Sequence, residues 1–248
     1  MKVINYACTD KLKGSYYPIS PDSCFNKDGV SYPPERLTNA IDEKNLYVDC
    51  PVWSHKAHRI FLIKSPIQIE FITKITDTES YLSFTQKSFI KDHGVIFLEN
   101  NQRTSWVGNG NPVVQLNIPT YTFWSKYKNI WIEIRPHPYT AVNNNFVTIG
   151  GWWNLSNWTR PTSFGLQIVN VEKPVTINRG DPIFEVCFYS NDLNDDFKMV
   201  KQEFIPDDIM NQVARNTNIK MYIRNLSQKF LFQKQKESKC PFAFLFNK

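Results

Sequence analysis

Trp152, Trp153 and Trp158 stand close together with Asn154, Asn157 and Arg160 between and behind them. Indole rings offer wide apolar faces, and Asn and Arg offer hydrogen-bonding tips. Together they can hold a sugar ring, a base or a protein side chain. Trp131, Arg135 and His137 lie on a separate alternating segment and join the group if that segment is a neighbour. The expected ligand-binding residues are therefore Trp152, Trp153, Asn154, Trp158, Arg160, Arg135 and His137. A structural alternative stands beside this one: at least two of the rings plug the end of a β-sandwich, and Arg160 braces Trp158 through a cation–π contact.

Other chemistry leaves less trace. The four histidines are His55, His58, His93 and His137, and only His55-x-x-His58 is closely spaced. On a strand that pair points to opposite faces, and the flanks Pro51-Val-Trp53 and Arg59-Ile-Phe-Leu do not read as a helix, so no metal site is expected. A His-x-Asp pair is missing, which speaks against a facial-triad iron oxygenase. The chain carries neither a Gly-x-Ser-x-Gly elbow nor a Walker or Gly-x-Gly-x-x-Gly loop. Gly108-Asn-Gly-Asn111 reads as a hairpin turn, and no cofactor is implied. A carboxylate pair assembled by folding would leave no local signature.

The five cysteines are Cys8, Cys24, Cys50, Cys187 and Cys240, an odd number without a C-x-x-C pair. They read as reduced thiols, with Cys187 a small core hydrophobe inside an apolar strand. Neither an export signal nor a membrane-spanning run stands out, so the expected location is the cytoplasm, or the host cytoplasm or virion if the chain is phage-encoded. The formal net charge is +6, and from Lys201 onward nine Lys or Arg face four Asp or Glu. That basic arm is a candidate surface for nucleic acid, an acidic partner or self-association, although a basic run of this kind is more often a solvated helix face.

The elements that would position these residues are mostly strands. A composition of 42% hydrophobic, 21% charged and 15% aromatic residues favours stacked rings on sheets over a helical bundle. Ile67-Gln-Ile-Glu-Phe71 and Ile130-Trp-Ile-Glu-Ile-Arg135 alternate apolar and polar residues, the period of a half-buried antiparallel strand. Further strands are expected over Lys2–Ala7, Leu46–Cys50, Arg59–Ile63, Tyr81–Phe84, Val95–Glu99, Val113–Ile118, Phe146–Ile149, Gly165–Val171 and Ile183–Tyr189. Prolines ahead of Leu37, Ala40 and Ile41 announce a short helix over Pro33–Ile41. Residues between Phe146–Ile149 and Gly165–Val171 read as a tryptophan-rich loop. A tight turn at Asn178-Arg-Gly180 sends one strand back as another.

After Tyr189 the chain changes character. Asp192–Asp196 reads as an acidic linker, and Ile205-Pro-Asp-Asp-Ile209 as a helix start followed by amphipathic helix. The expectation is a mainly β protein: an antiparallel β-sandwich or barrel over residues 1–190 with a short N-terminal helix. A basic helical extension over 191–248 then packs on the body or on another subunit.

Two resemblances follow. The turn Arg179-Gly-Asp-Pro-Ile183 resembles the late hairpin of dUTPase and dCTP-deaminase barrels, whose acidic and serine-containing phosphate motifs have no counterpart here. The likeness is one of architecture. More widely, Asn39-Ala40, Cys50-Pro51 with Trp53, His93-Gly-Val95, Trp131 to Arg135, the Trp158 to Pro161 stretch and the Arg179 to Ile183 turn are similar to an uncharacterised bacterial and phage protein family. That resemblance implies a continuous β-rich unit and assigns no activity. The functional expectation is a non-enzymatic, phage-encoded binding or assembly protein that recognises a ligand or partner protein through the Trp152 to Arg160 rim and forms a homo-oligomer through the basic arm. The competing expectation is a nucleotide-processing enzyme or metal-dependent oxygenase with its pocket at the same rim.

Overall fold

The computed structural model describes residues 1–8, 32–40, 50–75, 80–85, 95–97, 111–116, 121–162 and 164–222. The chain begins with β1 (Lys2–Cys8) and β2 (Glu35–Arg36), then helices α1 (Leu37–Ala40) and α2 (Pro51–Ala57). Next come β3 (Ile60–Lys64), β4 (Ile69–Ile75), β5 (Ser80–Phe84), β6 (Val95–Phe97), β7 (Val113–Leu116), β8 (Tyr121–Trp124) and β9 (Trp131–Arg135). Helix α3 (Pro138–Asn143) precedes β10 (Phe146–Ile149), β11 (Gly151–Asn154), β12 (Phe164–Ile168), β13 (Val175–Ile177) and β14 (Pro182–Tyr189). β15 (Phe197–Lys201) and α4 (Asp207–Tyr222) follow. The protein is mainly β, as its composition and alternation require. The strand expected over Leu46–Cys50 lies outside the described residues but for Cys50, as does His93.

The strands pair into four sheets, ordered β15-β1-β8, β10-β12-β7-β6, β11-β9-β14-β3-β2 and β13-β4-β5, none of them closed among the described residues. All described pairings are antiparallel except β1 with β15. Inward side chains from all four sheets meet in one core, which includes Ile4, Phe61, Phe71, Phe123, Leu166 and Phe188. Along β4, Ile69, Phe71 and Thr73 are buried while Ile72 and Lys74 are exposed. The period-two pattern thus chooses the buried face.

Two strand pairs turn a corner together. β3 pairs with β14 and, past the corner, β4 pairs with β13. The tight turn expected at Asn178-Arg-Gly180 is present, but the strands on either side of it join different sheets and do not form a hairpin with one another. Gly180 donates its N–H to the Ser65 carbonyl and Ser65 donates to the Asp181 carbonyl, each at 2.8 Å, so the two bends are locked. The Asp181 carboxylate accepts from the backbone N–H of Asn178 at 2.8 Å and from the side-chain amides of Asn178 and Asn144 at 3.1 Å each. Gly180 has φ +90°, and a Cβ there would stand 2.7 Å from the Tyr32 ring. Gly180→Ala is expected to cost about 1–3 kcal/mol through backbone strain, read as a lowered urea midpoint.

Strand β11 occupies part of the expected tryptophan-rich loop. Among the described residues the helix expected over Pro33–Ile41 is confined to α1, with β2 just ahead of it pairing to β3. Three further elements depart from the expectations drawn from the sequence. Helix α2 occupies the segment whose flanks did not read as helical. Pro51 opens it with a preset φ and no N–H to leave unsatisfied, and the Cys50 carbonyl accepts from the Ser54 N–H at 2.8 Å. Trp53 and Ala57, one turn apart, then pack on Leu37, Ile60, Leu62 and Cys187. β8 was not anticipated because it is buried on both faces: Tyr121 and Phe123 enter the main core, while Trp124 packs with Ala7, Ile205, Ile209 and Met210 beneath α4.

The third departure is β15, which follows the acidic stretch directly and pairs parallel with β1. Phe197 is fully buried against Phe188, ring centroids 5.8 Å apart, and the Arg59 guanidinium lies over its ring at 5.4 Å. Arg59 is itself buried and donates to the carbonyls of Asp192 and Leu193. Asp192–Asp196 is therefore not a loose linker. Lys2 pairs with Asp195 at 2.6 Å and Arg36 with Asp196 at 2.9 Å. Hydrogen bonds from Lys2 and Ser190 hold the Asp195 carboxyl below its ordinary range. At Asp196 burial pushes the other way, but the Arg36 and Phe197 N–H hydrogen bonds outweigh it and the net shift is again downward.

Depressed carboxyl pKa values contribute stability that is present above the ordinary aspartate range of about 4 and is lost as pH falls through the folded-state values. Thermal melts followed by circular dichroism should therefore fall off below about pH 4. Asp195→Asn and Asp196→Asn should each flatten that fall.

Helix α4 begins just after Ile205-Pro206, with Asp207 and Asp208 in its first turn at the positive end of the helix dipole. Val213 is buried, and Asn216 donates its side-chain amide to the Thr159 carbonyl at 2.9 Å. The first turns of the expected helical extension thus dock on the chain's own body. Among the described residues no helix is long and apolar enough to cross a membrane.

Candidate functional site

Alternation along β9, β11 and β14 sorts the tryptophan region onto two faces. Ile132, Ile134, Trp153, Val186 and Phe188 point into the core. The intervening residues form the opposite face of the same sheet, set by the registers Glu185↔Arg135, Cys187↔Glu133, Tyr189↔Trp131 and Trp152↔Glu133. Leu37 of α1 and Trp53 and Ala57 of α2 cover the β3 side of this outer face. At the other side stands β11, the outer strand among the described residues. Gly150 lets β11 lie there, because a Cβ at that position would collide with the backbone carbonyl of Ile134.

Two clusters line the outer face. In the first, the Glu185 side chain, only 5% exposed, receives Arg135 Nε on one oxygen at 3.0 Å and His137 Nδ1 on the other at 2.9 Å. In the second, the Tyr189 hydroxyl donates to Glu133 Oε2 at 2.5 Å. Beside it the Trp131 and Trp152 rings stack at 4.9 Å with a tilt of 37°. Burial raises the Tyr189 phenol, reinforced by its hydrogen bonds with Cys187 and Glu133, so it stays a donor. Burial likewise raises the Cys187 thiol, against smaller opposing effects from Tyr189, Arg135 and Lys56. A protonated, buried thiol is a poor nucleophile.

The structure therefore divides the residues expected to form one rim. Trp152 is 61% exposed and belongs to the outer face with Arg135 and His137. Trp153 and Trp158 are core side chains. The Trp153 Nε1–H finds no acceptor among the described residues. Asn154 is buried and shapes the turn after β11: its side-chain oxygen accepts from the Ser156 N–H at 2.9 Å and its carbonyl from the Trp158 N–H at 2.9 Å. Arg160 is half-buried next to Pro161, which bridges to Thr122 of β8. His55 and His58 are both exposed, at the end of α2 and just beyond it, and His58 meets Arg36 at 3.3 Å. Among the described residues no three His, Cys, Asp or Glu side chains are grouped to hold a metal ion.

Glu185, Glu133, Tyr189 and Trp131 complete the outer face, and three of them were not among the expected site residues in any form. A signal for Glu185 was present: it is the lone acid in the apolar run Pro182–Tyr189. A buried carboxylate in such a run must find a cation or donors on the neighbouring strand. No protein-family model matches this chain, and no curated protein does.

Proposed function

We propose that the protein is a non-enzymatic binding or assembly protein built on a layered β-sandwich, and that it engages its partner through the outer face of β11-β9-β14. The observation that supports this reading most is the exposed Trp152 ring stacked on Trp131 beside the polar rows of Glu133–Tyr189 and Arg135–Glu185–His137. Solvent-exposed tryptophan costs free energy that a binding partner recovers, and tryptophan is enriched among the residues that dominate interfaces. A phage origin and a basic arm used for self-association or for nucleic acid belong to the same proposal.

The test is to probe the full-length protein against glycan, peptide and nucleotide arrays, with Trp152→Ala as the paired control. That substitution removes a surface ring and its stacking on Trp131, so the fold should lose only about 1 kcal/mol. Binding signals that vanish in Trp152→Ala support the face as the recognition surface. Signals that all persist rule it out. For the arm, light scattering on the full chain and on a version ending at Tyr222, which keeps β15 and α4, reads the oligomeric state. Two monomers would refute self-association.

A second reading, an enzyme with its pocket on this face, draws on His137. With Nδ1 committed to Glu185, Nε2 is the nitrogen left for acid–base work. Hydrolysis of a nucleotide panel that is lost in His137→Ala would favour it over the binding reading.

A further inference from the structure

We infer that the outer face holds a phosphomonoester group between the Arg135 guanidinium and His137 Nε2, with the buried Glu185 carboxylate as the support that sets both. This rests on the reading of that face as a recognition surface and names its guest. Glu185 takes Arg135 through Nε alone and His137 through Nδ1. Among the described residues the two guanidinium Nη groups and His137 Nε2 have no partner, and none of the three is sealed from water. One carboxylate thus fixes two donors, and each keeps its outer nitrogens for something else.

Proton bookkeeping selects the guest. An ionised carboxylate only accepts, so the Nδ1 that meets Glu185 carries a proton, and in the neutral ring Nε2 is an acceptor. The Arg135 Nη groups are cationic donors. A guest that satisfies both brings an anionic oxygen for the fork and a proton for the ring, or a second negative charge when the ring takes up a proton itself. A phosphomonoester meets either case, because it passes between one and two negative charges near neutrality, where imidazole also gains or loses its proton. A carboxylate, a sulfate monoester and a phosphodiester each carry one charge and no proton there.

The neighbouring charges favour an anion at this end of the face. Across β9 and β14 the opposed pairs run Trp131 with Tyr189, Glu133 with Cys187, and Arg135 with Glu185. Glu133 accepts from the Tyr189 hydroxyl, so its carboxylate leans toward the Trp131 end and away from Arg135. Lys56 of α2 is exposed and, with Arg135, adds positive potential around Cys187. The Glu185 charge is already met by Arg135 and by the Nδ1–H of His137. A planar guanidinium that commits Nε to one carboxylate still presents two Nη groups in a fixed plane, which suits two phosphate oxygens.

The experiment titrates the full-length protein with methyl phosphate and follows the histidine ring protons by NMR. His137 is identified through nuclear Overhauser contacts with the Tyr139 ring, whose centroid lies 6.4 Å from its own. Dimethyl phosphate, methyl sulfate and acetate are the competing anions. The expected result is saturable movement of the His137 signals in the millimolar range, about tenfold or more tighter than for any competing anion. His137→Asn can still donate to Glu185 but lacks the second ring nitrogen, and Arg135→Lys keeps the charge but loses the fork. Each should weaken binding about tenfold, read from the phosphorus signal of methyl phosphate. Equal binding of dimethyl phosphate, preference for methyl sulfate or acetate, or unmoved His137 signals overturns the inference. Phosphate attracted only by the basic arm gives the last of these outcomes. The comparison of anions uses the unaltered protein and does not depend on any variant folding. Thymidine monophosphate and Nα-acetyl-phosphoserine amide carry the same group on a small molecule and on a protein side chain. Each should compete with methyl phosphate, the tighter naming the source, and failure of both also overturns the inference. Array partners lost in Trp152→Ala beside unmoved His137 signals would sink the phosphate guest and leave the recognition face standing. Array partners indifferent to Trp152→Ala would sink the face itself.

Discussion

Phe197→Ala is expected to destabilise the protein by about 3–5 kcal/mol, the range for removing a fully buried phenylalanine from a packed core. The ring lies against Phe188 and under the Arg59 guanidinium. Its loss opens a cavity and also strips the apolar cover from a buried cation. Arg59 already has a buried Nη1 without a partner among the described residues, so the site has little capacity to absorb a second defect. Urea unfolding monitored by tryptophan fluorescence measures the effect. A cost below about 1 kcal/mol would mean that residues after Tyr189 are not part of the core.

Glu185→Ala should have a comparable effect for an electrostatic reason. It leaves Arg135 without its counter-charge and His137 Nδ1 without its partner on a largely covered face, and breaking a buried ion pair typically costs about 3–5 kcal/mol. The Arg135 side chain is 28% exposed and that of His137 18%, so solvent screens part of the loss. A cost of about 2–4 kcal/mol is expected. The double variant Glu185→Ala/Arg135→Ala should recover part of it, because no unpaired guanidinium remains. Strict additivity of the two single variants would show that the pair does not interact in solution.

The candidate site was legible in pieces. Ile130-Trp-Ile-Glu-Ile-Arg135 declares its two faces by alternation, and Arg135 and His137 do come together, on Glu185. The tryptophans were harder, because Gly-Gly-Trp-Trp-Asn reads as loop until β9 is known to lie beside it. Once β11 pairs with β9, adjacent indoles must face opposite sides, and Trp152 goes to solvent while Trp153 goes to the core. Trp158 follows Trp153 inward because the turn after Asn154 folds the chain back. Proximity along the chain was a poor guide to proximity in space here.

Long-range pairing explains most of the rest. β15 is short and carries two lysines, so its strand character is weak by itself. Pairing with β1 at the other end of the chain supplies the ladder, and Phe197 supplies the burial. Helix α2 is equally conditional, since a two-turn helix is marginal until Trp53 and Ala57 find a surface to cover.

From its amino acids alone, this chain determined that strands dominate, which residues alternate within them, and where glycine, proline and asparagine must turn the backbone, because those properties reside in single residues and their nearest neighbours. Tertiary structure decided which strands became neighbours, and with that which carboxylate met Arg135 and which indole reached solvent. Such outcomes depend on contacts between residues far apart in sequence. The cost of an unpaired charge or an uncovered ring is set only when the opposing surface arrives.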